Sequence, residues 1–229
     1  MADTPILITS FQPWRAHQTA NSSNVLLSGL TKAKRLPPNT VWLSELVVNF
    51  ELAPTQVINQ ICIHQPRLVI CCGMAETRSH LTLEAQGSLG DHSLQTPLDV
   101  SALAKDAIYT QVSQDAGRFV CNHLYYRVLE YIKRHHLPCQ ALFIHVPALT
   151  PRNRAVIEFD FLRIVWRLGK GEGGKAKGEG GKAKGERERR KGRGERNTVG
   201  WAKLPALLEK TNPLYLASPS DAAHGKSDQ

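Results

Sequence analysis

Three observations predict an α/β fold with a mostly parallel central sheet and helices on both of its faces. Along residues 1–168, short apolar runs alternate with segments that repeat apolar residues at helical spacing, the signature of strand–helix–strand units. Leu68 to Cys72 is apolar without interruption, as parallel strands covered on both faces are. Gly73 follows that run directly, and the sequence reading gives it the tight turn between such a strand and its functional loop.

The elements follow in order. Pro5 to Thr9 is a short apolar run closed by a turn rich in proline and polar residues, a buried strand. Asn21 to Lys34 opens with a capping string, Asn21-Ser22-Ser23, and places Val25, Leu26, Leu27 and Leu30 at helical spacing. Val41 to Phe50 alternates in part, as a strand does. Pro54 to Gln65 carries Val57, Ile58, Ile61 and Cys62 on a helix that Pro66 ends. After the Leu68 run, residues 86–104 are weakly patterned and read as loops with at most a short helix. Tyr109 to Gln114 reads as a short strand. Asn122 to His136 is the strongest helix, with Leu124, Val128, Leu129 and Ile132 on one face. Leu142 to Val146 is another short buried strand. Arg154 to Leu168 closes the domain as a helix whose expected apolar face is Ala155, Phe159, Leu162 and Trp166.

Beyond Leu168 the composition changes. Residues 169–197 hold 10 of the 17 glycines and +6 of the formal +9 charge. Lys170 to Ala176 repeats as Lys177 to Ala183. Such composition buries too little apolar surface to offset chain entropy, so residues 169–197 and 198–229 are expected to be disordered. The seven-residue period has no apolar seam for a coiled coil, and it fits a repeat expansion or frameshift at the DNA level. With the charge concentrated there, the remaining residues are near neutral and make no case for a nucleic-acid surface. No run approaches the length that spans a bilayer, and no charged-then-apolar leader precedes Ile6, so a cytoplasmic protein without membrane contact is expected. Five scattered cysteines, Cys62, Cys71, Cys72, Cys121 and Cys139, show no metal spacing. His17, His64, His80, His92, His123, His135 and His136 show none either, and no metal or cofactor is assigned.

Chemistry concentrates in two strings. Gly117-Arg118-Phe119-Val120-Cys121-Asn122-His123 puts a cysteine at the start of the strongest helix, and Phe143-Ile144-His145-Val146-Pro147 ends a strand with a histidine. A helix N-terminus and a nearby imidazole both favour a thiolate, so Cys121 is expected to have a lowered pKa and to act as a nucleophile with His145 as its base.

Those strings resemble the pyroglutamyl-peptidase I family of cysteine peptidases. Phe119 to Asn122 is similar to the family's nucleophile string, and His145-Val146-Pro147 to its histidine string. Gly73 to Arg78 followed by Leu81-Thr82-Leu83-Glu84 is similar to its glycine-rich turn and glutamate. Ile6 to Trp14 resembles the opening strand with its aromatic loop, and Asn21-Ser22-Ser23 the helix that follows. The resemblance spans about residues 5–168. It implies a three-layer αβα sandwich of the phosphorylase/hydrolase-like kind. It also implies a Cys121–His145–Glu84 triad, and a substrate wall of Phe11, Trp14, Phe119 and Val120 with Asn21 nearby. The implied substrate is a small peptide with an N-terminal pyroglutamate, and homo-oligomers are common in the family.

The chain departs from the family in five respects. Arg15-Ala16 stands where glycines are usual, Trp14 replaces a phenylalanine, and Met74 stands where many members have glutamine. The Glu84–Cys121 interval is shorter than in bacterial members, and Leu94 or Gln95 falls where those members carry an arginine thought to help bind the oxyanion. Two other readings therefore stand beside the peptidase: a non-catalytic homologue serving as a binding module, and an amidase for another cyclic or N-blocked amide.

Overall fold

The computed structural model describes residues 4–170. The expectations for residues 171–229, including most of the glycine-rich repeat, lie outside the described residues.

Six strands form the central sheet: β1 (Ile6–Phe11), β2 (Thr40–Leu46), β3 (Leu68–Ala75), β4 (Leu81–Glu84), β7 (Thr110–Ser113) and β8 (Gln140–Pro147). Their order is β2-β1-β3-β8-β4-β7. All neighbours run parallel except β4 against β8. Two further strands, β5 (Gln86–Leu89) and β6 (His92–Gln95), make a separate antiparallel hairpin. The helices are α1 (Ser22–Lys32), α2 (Leu52–His64), α3 (Val100–Ala104), α4 (Val120–Arg134) and α5 (Arg154–Gly169).

Strand periodicity divides the core into two layers. Ile6, Ile8, Leu68, Ile70, Cys72, Leu81, Leu83, Leu142, Ile144 and Val146 pack with Leu26 and Leu27 of α1 and with Ile157, Phe161 and Val165 of α5. The alternate residues, among them Val69, Cys71, Phe143, Thr82 and Glu84, face the side of α4. The αβα sandwich with a mostly parallel sheet is thus the observed architecture. Cys71 and Cys72 are fully buried in β3, where they serve as small apolar fillers.

Three expectations change. Residues 86–104 contain the β5–β6 hairpin as well as the short helix α3. Four-residue strands with mixed polarity carry too little alternation to announce themselves. The hairpin is held by tertiary contacts instead: Asn122 Oδ1 accepts from Ser88 N at 2.8 Å, and its Nδ2 donates to Ser88 O at 2.8 Å. A Cβ at Gly87 would lie 2.7 Å from the backbone nitrogen of Tyr126, so the hairpin backbone rests directly on α4.

The buried face of α5 is Ile157, Asp160, Phe161, Leu162, Ile164, Val165 and Leu168; of the expected face Leu162 is buried, while Ala155, Phe159 and Trp166 are exposed. The stripe that faces the sheet includes a carboxylate, which hides it in the sequence. Asp160 is fully buried, and three donors satisfy it: Ile108 N at 3.0 Å, Tyr109 N at 2.6 Å and Thr110 Oγ1 at 2.8 Å. Hydrogen-bonded in this way, a buried carboxylate becomes an anchor between α5 and the start of β7.

Gly73 lies within β3 and makes no turn. A Cβ on it would come within 2.6 Å of Cys121 Sγ and 2.9 Å of Phe143 Cζ. Glycine is needed here because α4 sets its cysteine against the strand, a close approach of the kind that marks strand glycines. Gly73→Ala is expected to cost about 1–3 kcal/mol of stability through overpacking and to displace Cys121. Thermal melting together with the alkylation rate of Cys121 checks this, and a variant unchanged in both would contradict the packing account.

Candidate active site

The site is assembled where β3, β8 and β4 lie side by side beneath the N-terminus of α4. His145 of β8 pairs with Gly73 of β3 on one side and with Thr82 of β4 on the other. Glu84 sits two residues beyond Thr82, on the same face of the sheet and diagonal to His145, within reach of a long side chain. The reach is used: His145 Nδ1 and Glu84 Oε1 are 2.7 Å apart. Against an ionised carboxylate, which only accepts, Nδ1 is the donor, and that tautomer leaves Nε2 as the base nitrogen.

Cys121 reaches the same place from above. Its Sγ packs over Gly73, directly across the β3–β8 pair from His145, in strands spaced about 4.8 Å apart. The three residues singled out from the sequence are therefore brought to one face of the sheet at adjoining positions. Glu84 is fully buried and His145 nearly so, whereas Cys121 keeps partial access to solvent.

The electrostatics of the cysteine depart from expectation. Burial pushes the Cys121 thiol up to about 12; the neighbouring Cys71 and Glu84 act in the same direction, and Arg78 and the thiol's own helix-end backbone act against them. Desolvation is the largest of these influences, and the thiol does not show the lowering expected at a helix N-terminus.

Two groups that the sequence analysis gave no role complete the surroundings. The Tyr125 hydroxyl donates to the Glu84 carbonyl at 3.0 Å, tying α4 to the end of β4. Arg78 donates from Nη1 to Glu84 Oε1 and from Nη2 to the Asp115 carbonyl, the latter at 2.8 Å. A need for charge compensation at a buried glutamate was the available signal for Arg78.

The remaining sequence-derived residues separate into two groups. Trp14 and Phe119 are 46% and 39% exposed, and their rings lie 4.6 Å apart, tilted by 31°. Phe50 meets Phe119 edge-on at 5.7 Å. Trp14, Met74, Arg118 and Phe119 help line a cavity of about 410 Å³ at the carboxyl ends of the strands, the expected place for ligands in such sheets. Phe11 and Val120, by contrast, are buried and do not line this cavity. Asn21 is buried as the N-cap of α1, where its side chain accepts from Ser23 N at 3.0 Å and donates to Gln12 O at 3.3 Å.

The loop that carries Trp14 is fastened by Glu76. Arg15 Nη1, His17 Nε2 and Gln18 Nε2 lie 3.2, 3.2 and 3.0 Å from its carboxylate oxygens. The Gln18 and His17 contacts, in that order, lower the Glu76 pKa. Leu94 and Gln95 instead border an apolar groove with Leu129, Ile132 and Leu137, toward the end of α4 remote from Cys121. That position brings no cation to the thiol. Among the described residues no cluster of His, Cys, Asp or Glu is placed to hold a metal ion, and no helix is long and apolar enough to cross a membrane.

The chain is similar to known proteins in both sequence and fold. A family profile described as pyroglutamyl peptidase matches residues 96–158. A pyrrolidone-carboxylate peptidase of Bacillus amyloliquefaciens is 30% identical over 169 residues, covering 62% of this chain and 77% of the relative. One from Vibrio vulnificus is 30% identical over 180 residues, covering 66% and 81%. In structure, the chain is similar to pyroglutamyl peptidase I of B. amyloliquefaciens, with a TM-score of 0.64 at 24% identity, covering 73% of this chain and 97% of that one. It is also similar to the pyrrolidone carboxyl peptidase of Thermococcus litoralis, with a TM-score of 0.60 at 21% identity, covering 73% and 96%. On the strength of the sequence matches and the shared fold, the chain belongs to the pyroglutamyl peptidase family.

Proposed function

We propose that this protein is a cysteine omega-peptidase that removes an N-terminal pyroglutamyl residue from small peptides, with Cys121 as nucleophile, His145 as base and Glu84 as orienter. The observation that carries this reading is the 2.7 Å His145–Glu84 hydrogen bond beside the Cys121 thiol that packs over Gly73. A buried carboxylate that fixes one imidazole nitrogen and frees the other toward a thiol is the nucleophile–base–orienter logic of triad hydrolases.

The raised pKa of Cys121 dictates how the reaction begins. The resting form is a thiol, so the proton passes to His145 Nε2 as Sγ attacks the carbonyl carbon joining the pyroglutamyl ring to the next residue. The imidazolium so formed sits against Glu84. The carbonyl oxygen becomes an oxyanion, and donors for it are at hand in the first turn of α4. The N-cap Phe119 contributes no side-chain bond there, and the first backbone N–H groups of a helix lack intrahelical partners. These donors take the place of the arginine that the sequence lacks. As the C–N bond breaks, the imidazolium gives its proton to the leaving amine and a thioester remains on Cys121. A water molecule deprotonated by His145 then attacks the thioester, releasing pyroglutamate and restoring the thiol.

The substrate ring is flat and uncharged, so aromatic surface suits it better than an ion pair. Trp14 and Phe119 offer that surface at the rim of the cavity, two residues before the nucleophile in the case of Phe119. The relatives' names, with pyrrolidone carboxylate as the group acted upon, support the same substrate class.

Turnover of a pyroglutamyl-aminocoumarin tests the reading. Activity in the wild type is expected to vanish in Cys121→Ala and to fall by roughly 10²–10⁴-fold in His145→Ala. Glu84→Gln is expected to lose less than His145→Ala, and full activity in Glu84→Gln would remove Glu84 from the mechanism. A second measurement addresses the protonated thiol. The iodoacetamide alkylation rate of Cys121, followed by peptide mapping, is expected to climb about tenfold per pH unit between about pH 7 and pH 9, since only the thiolate reacts. A rate that has already levelled off near neutrality would show a resting thiolate instead.

A further inference from the structure

Resting on the peptidase reading, a question of charge remains at its centre. Glu84 has no exposed surface, and a buried carboxylate without a counter-ion shifts toward its neutral form. A protonated Glu84 could donate to His145 Nδ1 and so place the imidazole proton on the wrong nitrogen for catalysis.

Arg78 addresses this directly. It lies in the turn after β3, where its own N–H donates to Ala75 O at 3.1 Å. One arm of its guanidinium meets Glu84 Oε1, the same oxygen that His145 Nδ1 engages, while Oε2 has no partner among the described residues. The other arm holds the Asp115 carbonyl at 2.8 Å. Asp115 belongs to the segment that leads into α4: its carboxylate accepts from Gly117 N at 2.9 Å, and Gly117 turns at a φ of 85° just ahead of Phe119 and Cys121. The other titratable groups around Glu84 are His145 from β8, Cys121 and Tyr125 from α4, and Cys71 from β3. Of these and Arg78, only the guanidinium carries a positive charge at every working pH.

We propose that Arg78 is a positioning residue for the reaction, a fork that keeps Glu84 ionised against His145 and sets the segment delivering Cys121. Its charge also reaches the nucleophile, where it opposes the upward push of burial and of Glu84 on the thiol. Without the guanidinium, Glu84 is a buried carboxylate with no fixed positive partner, a setting that favours its neutral form. Activity that depends on ionised Glu84 then requires a higher pH.

The test compares wild type, Arg78→Gln and Arg78→Lys in three measurements: kcat/KM against pH on the aminocoumarin substrate, thermal melting, and the low-field proton resonance of His145 Nδ1–H. In Arg78→Gln the ascending limb of kcat/KM is expected to move up by about one pH unit or more, with kcat reduced more than KM is raised. The His145 resonance should weaken near neutrality and return at higher pH. Arg78→Lys keeps the charge and gives up the fork, so it should restore the limb and the resonance while recovering the rate in part. A lower melting temperature in both variants, with the limb and the resonance unmoved, would reduce Arg78 to a structural strap and overturn the proposal. Wild type without turnover would overturn the peptidase reading, and a His145 resonance that still answered to Arg78 in this way would support the fork on its own.

Discussion

The fold places a carboxylate with no solvent exposure next to a nearly buried imidazole, and the neighbouring contacts follow from keeping that pair intact. Glu84 can be buried because Arg78 and His145 share one of its oxygens. It sits at the end of a strand whose four residues are all buried, and the Tyr125 hydroxyl fixes its backbone carbonyl from α4. His145 in turn is pinned between two strands, one parallel and one antiparallel. The single antiparallel neighbour in the sheet is therefore the one that carries the acid to the histidine. Breaking a buried ion pair by removing one partner typically costs about 3–5 kcal/mol, so the constraint is energetic as well as geometric.

The cysteine meets a different constraint, one of space. α4 brings Sγ onto β3 at a position where any side chain would collide, and the hairpin beyond β4 is clasped to the same helix through Asn122 and Gly87. The result is a thiol set over β3 on the sheet face that carries His145, where burial pushes its pKa up. The aromatic rim of Trp14 and Phe119 is exposed, and the contacts of Glu76 with Arg15, His17 and Gln18 hold its loop in register with the end of β3.

Much of this was legible in the chain itself, and the reasons are local. β1, β3, β8 and α4 are read from apolar runs and helical spacing, which depend on neighbours in sequence. The strings around Cys121 and His145 could be picked out because each begins or ends such an element, whereas Glu84 was singled out by the resemblance of its string to a known family. The misreadings share a physical origin: they depend on residues far apart in the chain. Gly73 looked like a turn glycine because its steric partner is a cysteine 48 positions away. Asp160 disguised the buried face of α5 because its three donors come from the start of β7. Arg78 stood in plain view with no role, since its importance rests on how deeply Glu84 is buried. The pKa of Cys121 was misjudged because a helix N-terminus is visible in sequence and desolvation is not.

A nucleophilic Cys121 forms a covalent bond to the pyroglutamyl group, and this can be observed directly. Mixing the protein with a pyroglutamyl ester, quenching in acid within the first turnover and mapping peptides by mass spectrometry should reveal one pyroglutamyl group on the peptide that contains Cys121. The same adduct should build up further in His145→Ala if any acylation persists there, because the water that clears the thioester would have lost its base. Ester hydrolysis that proceeds with Cys121 unmodified, or with the acyl group on Cys62 or Cys139, would contradict the assignment at its root.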